Sequence, residues 1–326
     1  MASSVTIAQI NTLMHEVGPQ VVQDAITRSV KLWDLIANAG GGLVGASSKS
    51  GPFALVKVGS NGSATSFEPG GSMTAADAAE IVEAKLNWGN YGGMFTLSEL
   101  GLAQLESGGE QELANAIQAN LEELARQLQS AVNTGLISGS DTSKDIIGIC
   151  TAIDDTNNYA GIDRSSKTEW GCYVAANSGS ARGLTVAIMD TAYDYFVNTV
   201  GAEAGNWVIL TGTAQESTMR GFSTGAASSY SVYQPGEGVV KALSTSKVAF
   251  RDIPVVAIPG YTTGRIDFVN LDACSIECLN GAEAPFRFSG PHSDAGSDLT
   301  YFKGFFQGQL VIKNIRHNCF SIQDLS

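Results

Sequence analysis

Charge is scarce in this sequence. Only 16% of its 326 residues are Asp, Glu, Lys or Arg, against about a quarter in an ordinary soluble domain, so much of the surface is expected to be covered by something other than water. Positive charge is scarcer still, with 19 Lys plus Arg against 32 Asp plus Glu and a net charge of −13. The one local basic excess is Lys303, Lys313 and Arg316 against Asp324. Phosphate neutralisation needs a clustered positive footprint, so these side chains read as solvated groups on strands and not as a nucleic-acid groove.

Sulfur and imidazole are also few. The five Cys (Cys150, Cys172, Cys274, Cys278, Cys319) form an odd set without a CxxC pair, which argues against a disulfide framework or a zinc site of ordinary spacing. On a strand, Cys274 and Cys278 would share a face about 13 Å apart, too far for one metal, and they read as small buried hydrophobes. The run Asp141-Thr142-Ser143-Lys144-Asp145 lacks the Gly and the closing Glu of a calcium loop. His occurs at 15, 292 and 317. No phosphate-binding GxxxxGK[ST], dinucleotide GxGxxG, HExxH or GxSxG is present. No catalytic, cofactor-binding or metal-binding residue is assigned, and no cofactor is expected. A loop-borne pair, His292 with Asp294, is the arrangement left for a hydrolase.

Long apolar runs are missing as well. The greasiest stretches, Trp207–Leu210 and Pro254–Pro259, are strand-sized and far below the ~18 to 20 residues of a membrane helix. Met-Ala-Ser-Ser-Val-Thr opens the sequence without a basic region followed by an apolar one, so assembly in a reducing cytoplasm is expected.

What is present is core material: 44% apolar residues and 37 Gly, enough for about two domains at ~150 residues each. Residues 4–39 predict one or two helices, with Val22, Ile26, Val30, Trp33 and Ile36 as a stripe and Gly40-Gly41-Gly42 as the stop. From Gly51 to Leu97 the pattern is that of strands. Ser60-Asn61-Gly62-Ser63 and Glu68-Pro69-Gly70-Gly71-Ser72 supply turns, and an extended run from Ala79 to Leu97 is broken at Gly92-Gly93. Such a hairpin has no core of its own and needs another surface to lie on.

Residues 108–134 predict the clearest helix, with Leu113, Ile117, Leu121, Leu124, Leu128 and Ala131 on one stripe, Ser107 and Glu110 as a capping box and Gly135 as the stop. A buried strand follows at 146–150, then a polar loop at 154–166. A helix at 181–200 is expected to be capped by Ser180, stopped by Gly201 and faced by Leu184, Ile188, Thr191 and Tyr195. Trp207–Thr211 reads as a buried strand and 215–245 as irregular. Short strands are expected at Val248–Ile253, Val255–Ile258, Arg265–Asn270 and Ala273–Leu279, and an extended segment at Phe302–Ile315.

In this order the elements resemble the major capsid proteins of tailed bacteriophages, whose Hong Kong 97 type fold is shared with encapsulins. The helical arm leading into Phe53–Leu97 is similar to the family's N-terminal arm and E-loop, and Gly108–Thr134 to its spine helix. The stretch Thr156-Asn157-Asn158-Tyr159-Ala160-Gly161-Ile162-Asp163-Arg164-Ser165, through Trp170, is similar to a "Tyr-Gly-Gly-Ile-x-Arg-Ser" segment of one branch, with Ala160 where Gly is usual. Helix 181–200, the strand Asn206–Leu210 and Phe250–Val255 with the strands after it look like the axial domain. The resemblance implies an α+β fold. Its parts are an N-terminal arm (1–50), an E-loop hairpin (51–97), a peripheral domain with the spine helix (98–145), an axial domain with some peripheral strands (146–295) and a return to the peripheral domain (296–326).

The resemblance further implies a structural protein without enzymatic activity. It would assemble with itself, as pentamers and hexamers, into the icosahedral virion shell around double-stranded DNA. Implied partners are a portal protein at one vertex, a separate scaffolding protein, a decoration or cement protein, and DNA held without sequence preference; no membrane is involved. Some members cross-link a Lys of the E-loop to a neighbour's Asn. Lys57, Lys85, Glu68 and Glu83 lie in the hairpin region, but no motif aligns them with those roles, and the chemistry is not carried over. An encapsulin-type compartment shell and, from another class, a cytosolic hydrolase are the alternative readings.

Overall fold

The computed structural model describes residues 31–46, 51–58, 80–98, 110–140, 144–223, 230–232, 248–282, 285–293 and 299–326. The expectations for residues 1–30, both turns of the hairpin tip, the Ser107 cap, the start of the 141–145 run and Asp294 fall outside the described residues. Helix α1 (Lys31–Asp34) continues as a π-helical turn (Leu35–Ala39) into strand β1 (Leu43–Gly45). Strands β2 (Phe53–Val58), β3 (Glu80–Lys85) and β4 (Gly89–Ser98) precede the long helix α2 (Glu110–Ser138) and the short α3 (Ile149–Ala152). Then come β5 (Tyr173–Ala175), α4 (Val186–Tyr195), β6 (Trp207–Thr211), α5 (Thr213–Ser223), β7 (Tyr230–Val232), β8 (Val248–Phe250), β9 (Ile253–Ala257) and β10 (Ile266–Asn270). Strands β11 (Cys274–Cys278), β12 (Phe286–Ser293) and β13 (Leu299–Ile312), helix α6 (Ile315–Asn318) and β14 (Cys319–Ile322) complete it.

Strand β13 organises one sheet, running antiparallel to β4, β11 and β12, with β1 added parallel to β11. Its side chains alternate: Phe302, Phe306, Leu310 and Ile312 are buried, while Leu299 and Phe305 face out. Helix α2 covers the buried face through Ile117, Leu121, Leu124, Leu128, Val132 and Leu136. Two glycines let it come close. Gly93 and Gly304 are directly paired across the ladder, and a Cβ on Gly93 would meet Leu124 Cδ1 at 2.5 Å. Trp33 packs edge-on against Phe306 at 5.5 Å and Phe95 stacks on Phe302 at 4.7 Å.

The second sheet has seven strands in the order β5-β14-β10-β6-β9-β8-β7. Because strand side chains alternate, it is buried on both faces. Val208, Leu210, Val256, Val269 and Cys319 join the core shared with the first sheet. Ile209, Val255, Phe268 and Phe320 pack with Met189, Ala192 and Phe196 of the α4 region in a second core. Phe268 stacks on Phe320 at 4.2 Å. Strand β14 belongs to this sheet, so the segment expected as one unit at 296–326 divides between the two sheets.

Several local expectations are corrected. Gly135 does not stop α2, which runs on to Ser138. It is buried within the helix, and a Cβ there would overlap the Tyr91 hydroxyl. The apolar stripe of α2 passes through Val132, leaving Ala131 exposed. Gly92-Gly93 does not break the extended run; the break falls at residues 86–88, and both glycines pair within the β4–β13 ladder. Residues 146–150 are buried as expected but form no strand, since the Ile147 N–H is bonded to Gln309 Oε1 at 2.7 Å and a short helix starts at Ile149. Apolar runs of that length do not distinguish the two. Helix α4 is capped by Thr185, whose side chain accepts from the Ile188 N–H, and not by Ser180. Its core-facing side is Met189 and Ala192, continued by Phe196 and flanked by buried Leu184 and half-buried Ile188, so of the expected stripe only Thr191 and Tyr195 are exposed. Helix α5 and strand β7 occupy parts of the stretch 215–245 expected to be mostly irregular, of which 224–229 and 233–245 lie outside the described residues. The inward positions of α5 include Gln215, Glu216 and Met219, and two polar residues in three mask the hydrophobic period.

Candidate functional site

The hairpin β2–β3 stands out because, among the described residues, one face of it is exposed. Leu55 and Ile81 are 72% and 70% exposed and alternate with Lys57 and Glu83 across the ladder. The opposite face, with Val56, Val82 and Ala84, lies against the body. On the first sheet, Met94 (64%) and Phe305 (40%) are exposed on the side away from α2. Scattered apolar side chains on a surface are ordinary, but a two-stranded ribbon with two exposed aliphatics placed diagonally on one face is marginal in water and suits a contact with another protein.

The hairpin is mounted on the segment singled out in the sequence as Tyr159 through Trp170. Tyr159 and Ile162 exchange main-chain hydrogen bonds of 3.2 and 3.1 Å around Ala160-Gly161. Both central residues have positive φ, 54° and 77°, as in a type I′ turn, and glycine is the residue that tolerates this without strain. The Ala160 carbonyl accepts the Lys85 N–H at 2.8 Å, docking the root of β3. Lys167 forms an ion pair with Glu80 at the far end of the same strand.

Behind the turn, Tyr159 Oη accepts the Ile312 N–H at 3.0 Å and lies 3.4 Å from the Ile312 carbonyl. The Trp170 indole N–H donates to the Tyr159 carbonyl at 3.1 Å. Burial pushes the Tyr159 phenol far above its ordinary pKa, so it stays protonated. Arg164 is fully buried; it donates to the carbonyls of Asp154 (2.6 Å) and Ala152 (2.7 Å) and lies 5.1 Å over the Tyr159 ring. Asp163 accepts from the Ser165 hydroxyl and N–H, which holds its carboxyl below the usual carboxylate value. A cavity of about 230 Å³ remains between the hairpin root and this mount, lined by Ala54, Val56, Ala84, Leu86, Tyr159 and Trp170 among others.

Among the described residues, which do not include His15 or Asp294, the groups considered for chemistry do not come together. His292 is exposed at a register shift of β12, its Nε2 2.6 Å from Ser289 Oγ, while His317 Nδ1 contacts the Gly201 carbonyl at 2.7 Å. All five Cys are free and buried. Burial pushes the Cys172 and Cys278 thiols up to about 12, which leaves them protonated and inert. Among the described residues no group of three or more His, Cys, Asp or Glu could hold a metal ion, and no helix is long and apolar enough to cross a membrane. Within the hairpin, Lys57 and Glu83 lie on the exposed face, Lys85 pairs with Phe53 at the root, and Glu68 is outside the described residues. Sequence reasoning missed the contacts of Lys167, Arg164 and Tyr159. A Tyr-x-Gly-Ile turn followed by Arg and Trp was the available signal, but nothing in it names Lys85 or Ile312 as partners.

Comparison with known proteins follows the same line. Residues 72–298, more than two thirds of the chain, match the family described as SU10 major capsid protein. No curated protein matches the sequence. Among solved structures, the capsid asymmetric unit of cyanophage A-1(L) is similar with a TM-score of 0.71 at 17% identity, covering 91% of this chain and 93% of that one. The capsid of a native GTA particle gives 0.58 at 16% identity, covering 92% and 91%. Mycobacterium phage Patience gives 0.57 at 12%, covering 100% and 91%. At such identities the likeness is one of fold.

Proposed function

The chain belongs to the SU10 major capsid protein family, and on that premise we propose how its shape serves as a shell subunit. It is a major capsid protein of a tailed phage with the Hong Kong 97 type fold, a structural component of the virion that assembles with copies of itself and is not an enzyme. In the proposed arrangement the subunits form pentamers and hexamers of an icosahedral shell. The first sheet with α2 is the peripheral domain, the seven-stranded sheet with α4 the axial domain, and β2–β3 the E-loop. The exposed faces carrying Leu55 and Ile81, and Met94 and Phe305, are the surfaces that neighbouring subunits cover. The observation that carries this is the hairpin itself: an extended element with a free aliphatic face, tethered at a specific mount.

Interfaces of ordinary size, about 1,600 Å² each, close a stable shell when every subunit is held by several neighbours at once. The low charged fraction fits such a role, since interface cores are depleted in charge. We further propose a portal protein at one vertex, a separate scaffolding protein, a decoration or cement protein and packaged double-stranded DNA as partners. The acidic balance of −13 suits a lining that does not grip phosphate during packaging and ejection. Electron microscopy of the protein produced together with its phage scaffolding protein tests the reading: uniform closed shells of tens of nanometres are expected, and a small oligomer that never assembles would overturn it.

A further inference from the structure

Resting on the shell reading above, we propose that Arg164 is a positioning residue for assembly: it fixes the mount of the β2–β3 hairpin, and through the angle of that hairpin it governs the curvature of the shell. Arg164 is fully buried, yet its guanidinium donates to main-chain carbonyls of Ala152 and Asp154 rather than to a carboxylate. Its Nε–H has no partner among the described residues. A buried charge is costly, and an apolar residue of similar volume is often as stable or more so. Stability alone therefore gives no reason for a guanidinium here. Geometry does, because the rigid planar fork holds two carbonyls at fixed positions.

Those carbonyls belong to the segment that enters the mount. Arg164 also lies over the Tyr159 ring, Tyr159 is bonded through its hydroxyl to Ile312 of β13, and Ala160 next to it accepts the Lys85 N–H of β3. One side chain thus ties the start of the axial region to the first sheet and the hairpin root. Packing leaves room at the root, where Ala54 faces Ala84 across the ladder above the cavity of about 230 Å³; the contacts beyond it are Val56 and Val82 against the body and the Lys167–Glu80 ion pair, which itself comes from the mount segment. An error at the mount is then passed along the hairpin. Over the six residues of β3, about 20 Å at ~3.3 Å per residue, a tilt of ~10° moves the far end by about 3.5 Å. Apolar contacts do not survive a displacement of that size.

The test uses spin labels on Lys57→Cys and Gln118→Cys, one on the hairpin and one on α2; the native thiols are all buried. Their distance distribution is measured in the unassembled protein, and particle diameters are measured after assembly. The parent protein should give one narrow distance. Arg164→Lys, which keeps the charge and loses the fork, should broaden it at least two-fold and give particles of mixed diameter. Tyr159→Phe keeps the ring and removes the link to Ile312; it should act in the same direction and serves if the Arg164 variant does not fold. A lower melting temperature with unchanged distance width and unchanged particles would make Arg164 merely structural and overturn the proposal. Broad distances with uniform particles would overturn its assembly half. A parent protein that forms no shells with its phage partners present would instead overturn the shell reading, while the distance widths would still decide whether Arg164 fixes the hairpin.

Discussion

The seven-stranded sheet and the β2–β3 hairpin are built on opposite terms. The sheet is sealed on both faces by alternating side chains, and Phe268, Phe320, Ile209 and Val208 are all fully buried. The hairpin has one face against the body, across a cavity, and one face open with Leu55 and Ile81. A subunit that only had to fold would discard the second element. The contrast separates two tasks, stability of the fold in the sheets and association with neighbours in the ribbon.

Substitutions can break that separation if it is wrong. The largest expected effect is on assembly: Leu55→Asp with Ile81→Asp should abolish closed particles, seen by sedimentation, while the melting temperature of the free subunit stays as it was. Phe268→Ala should do the reverse at the level of the subunit, costing about 3 to 5 kcal/mol in denaturant unfolding because a stacked, fully buried ring is lost. Gly304→Val acts in the first sheet, beneath α2. It forces bulk against Phe288, Leu124 and Leu128 and should cost about 1 to 3 kcal/mol, read in the same unfolding experiment.

Smaller effects sharpen the picture at the mount. Ala160→Gly removes a left-handed strain of roughly 1 to 2 kcal/mol but adds freedom to the unfolded chain worth ~0.4 to 1 kcal/mol. A net gain of about 0.5 to 1 kcal/mol should appear in unfolding without change in particle size. The smallest effect concerns Asp154. Burial acts to raise its pKa, but hydrogen bonds from the Asn157 and Thr156 N–H groups and the Thr156 hydroxyl, with Arg164 nearby, bring it below the ordinary 3.8. A depressed carboxyl stabilises the fold above its unfolded pKa and loses that contribution as the pH falls through its folded value. Asp154→Asn should therefore flatten the acid limb of the stability curve slightly.

The two regions also differ in how far they could be read from the sequence. Strands 207–211, 266–270 and 274–278 were legible because continuous or alternating apolar residues end at clear turns, whereas the break expected at Pro254 falls at Arg251-Asp252, between 248–250 and 253–257. Helix α2 was legible from its stripe, although Gly135 was mistaken for a stop: a glycine serving the close approach of Tyr91 looks, in sequence, like one serving a cap. Helix α5 was hidden by Gln215 and Glu216 on its inner side. At the mount, the Ile-Asp-Arg-Ser segment drew notice only as a resemblance. The bonds just before it, from Ala160 to Lys85 and from Tyr159 to Ile312, span long separations along the chain and carry no local signature.

Hydrogen exchange on the free subunit and on the assembled shell tests the division of labour most directly. Amides of β10, in the middle of the seven-stranded sheet, should be protected in both states, while those of β2 and β3 should exchange fast in the free subunit and become protected in the shell. Equal protection of the hairpin in both states would contradict it, because the ribbon would then be part of the subunit's own fold rather than a surface completed by its neighbours.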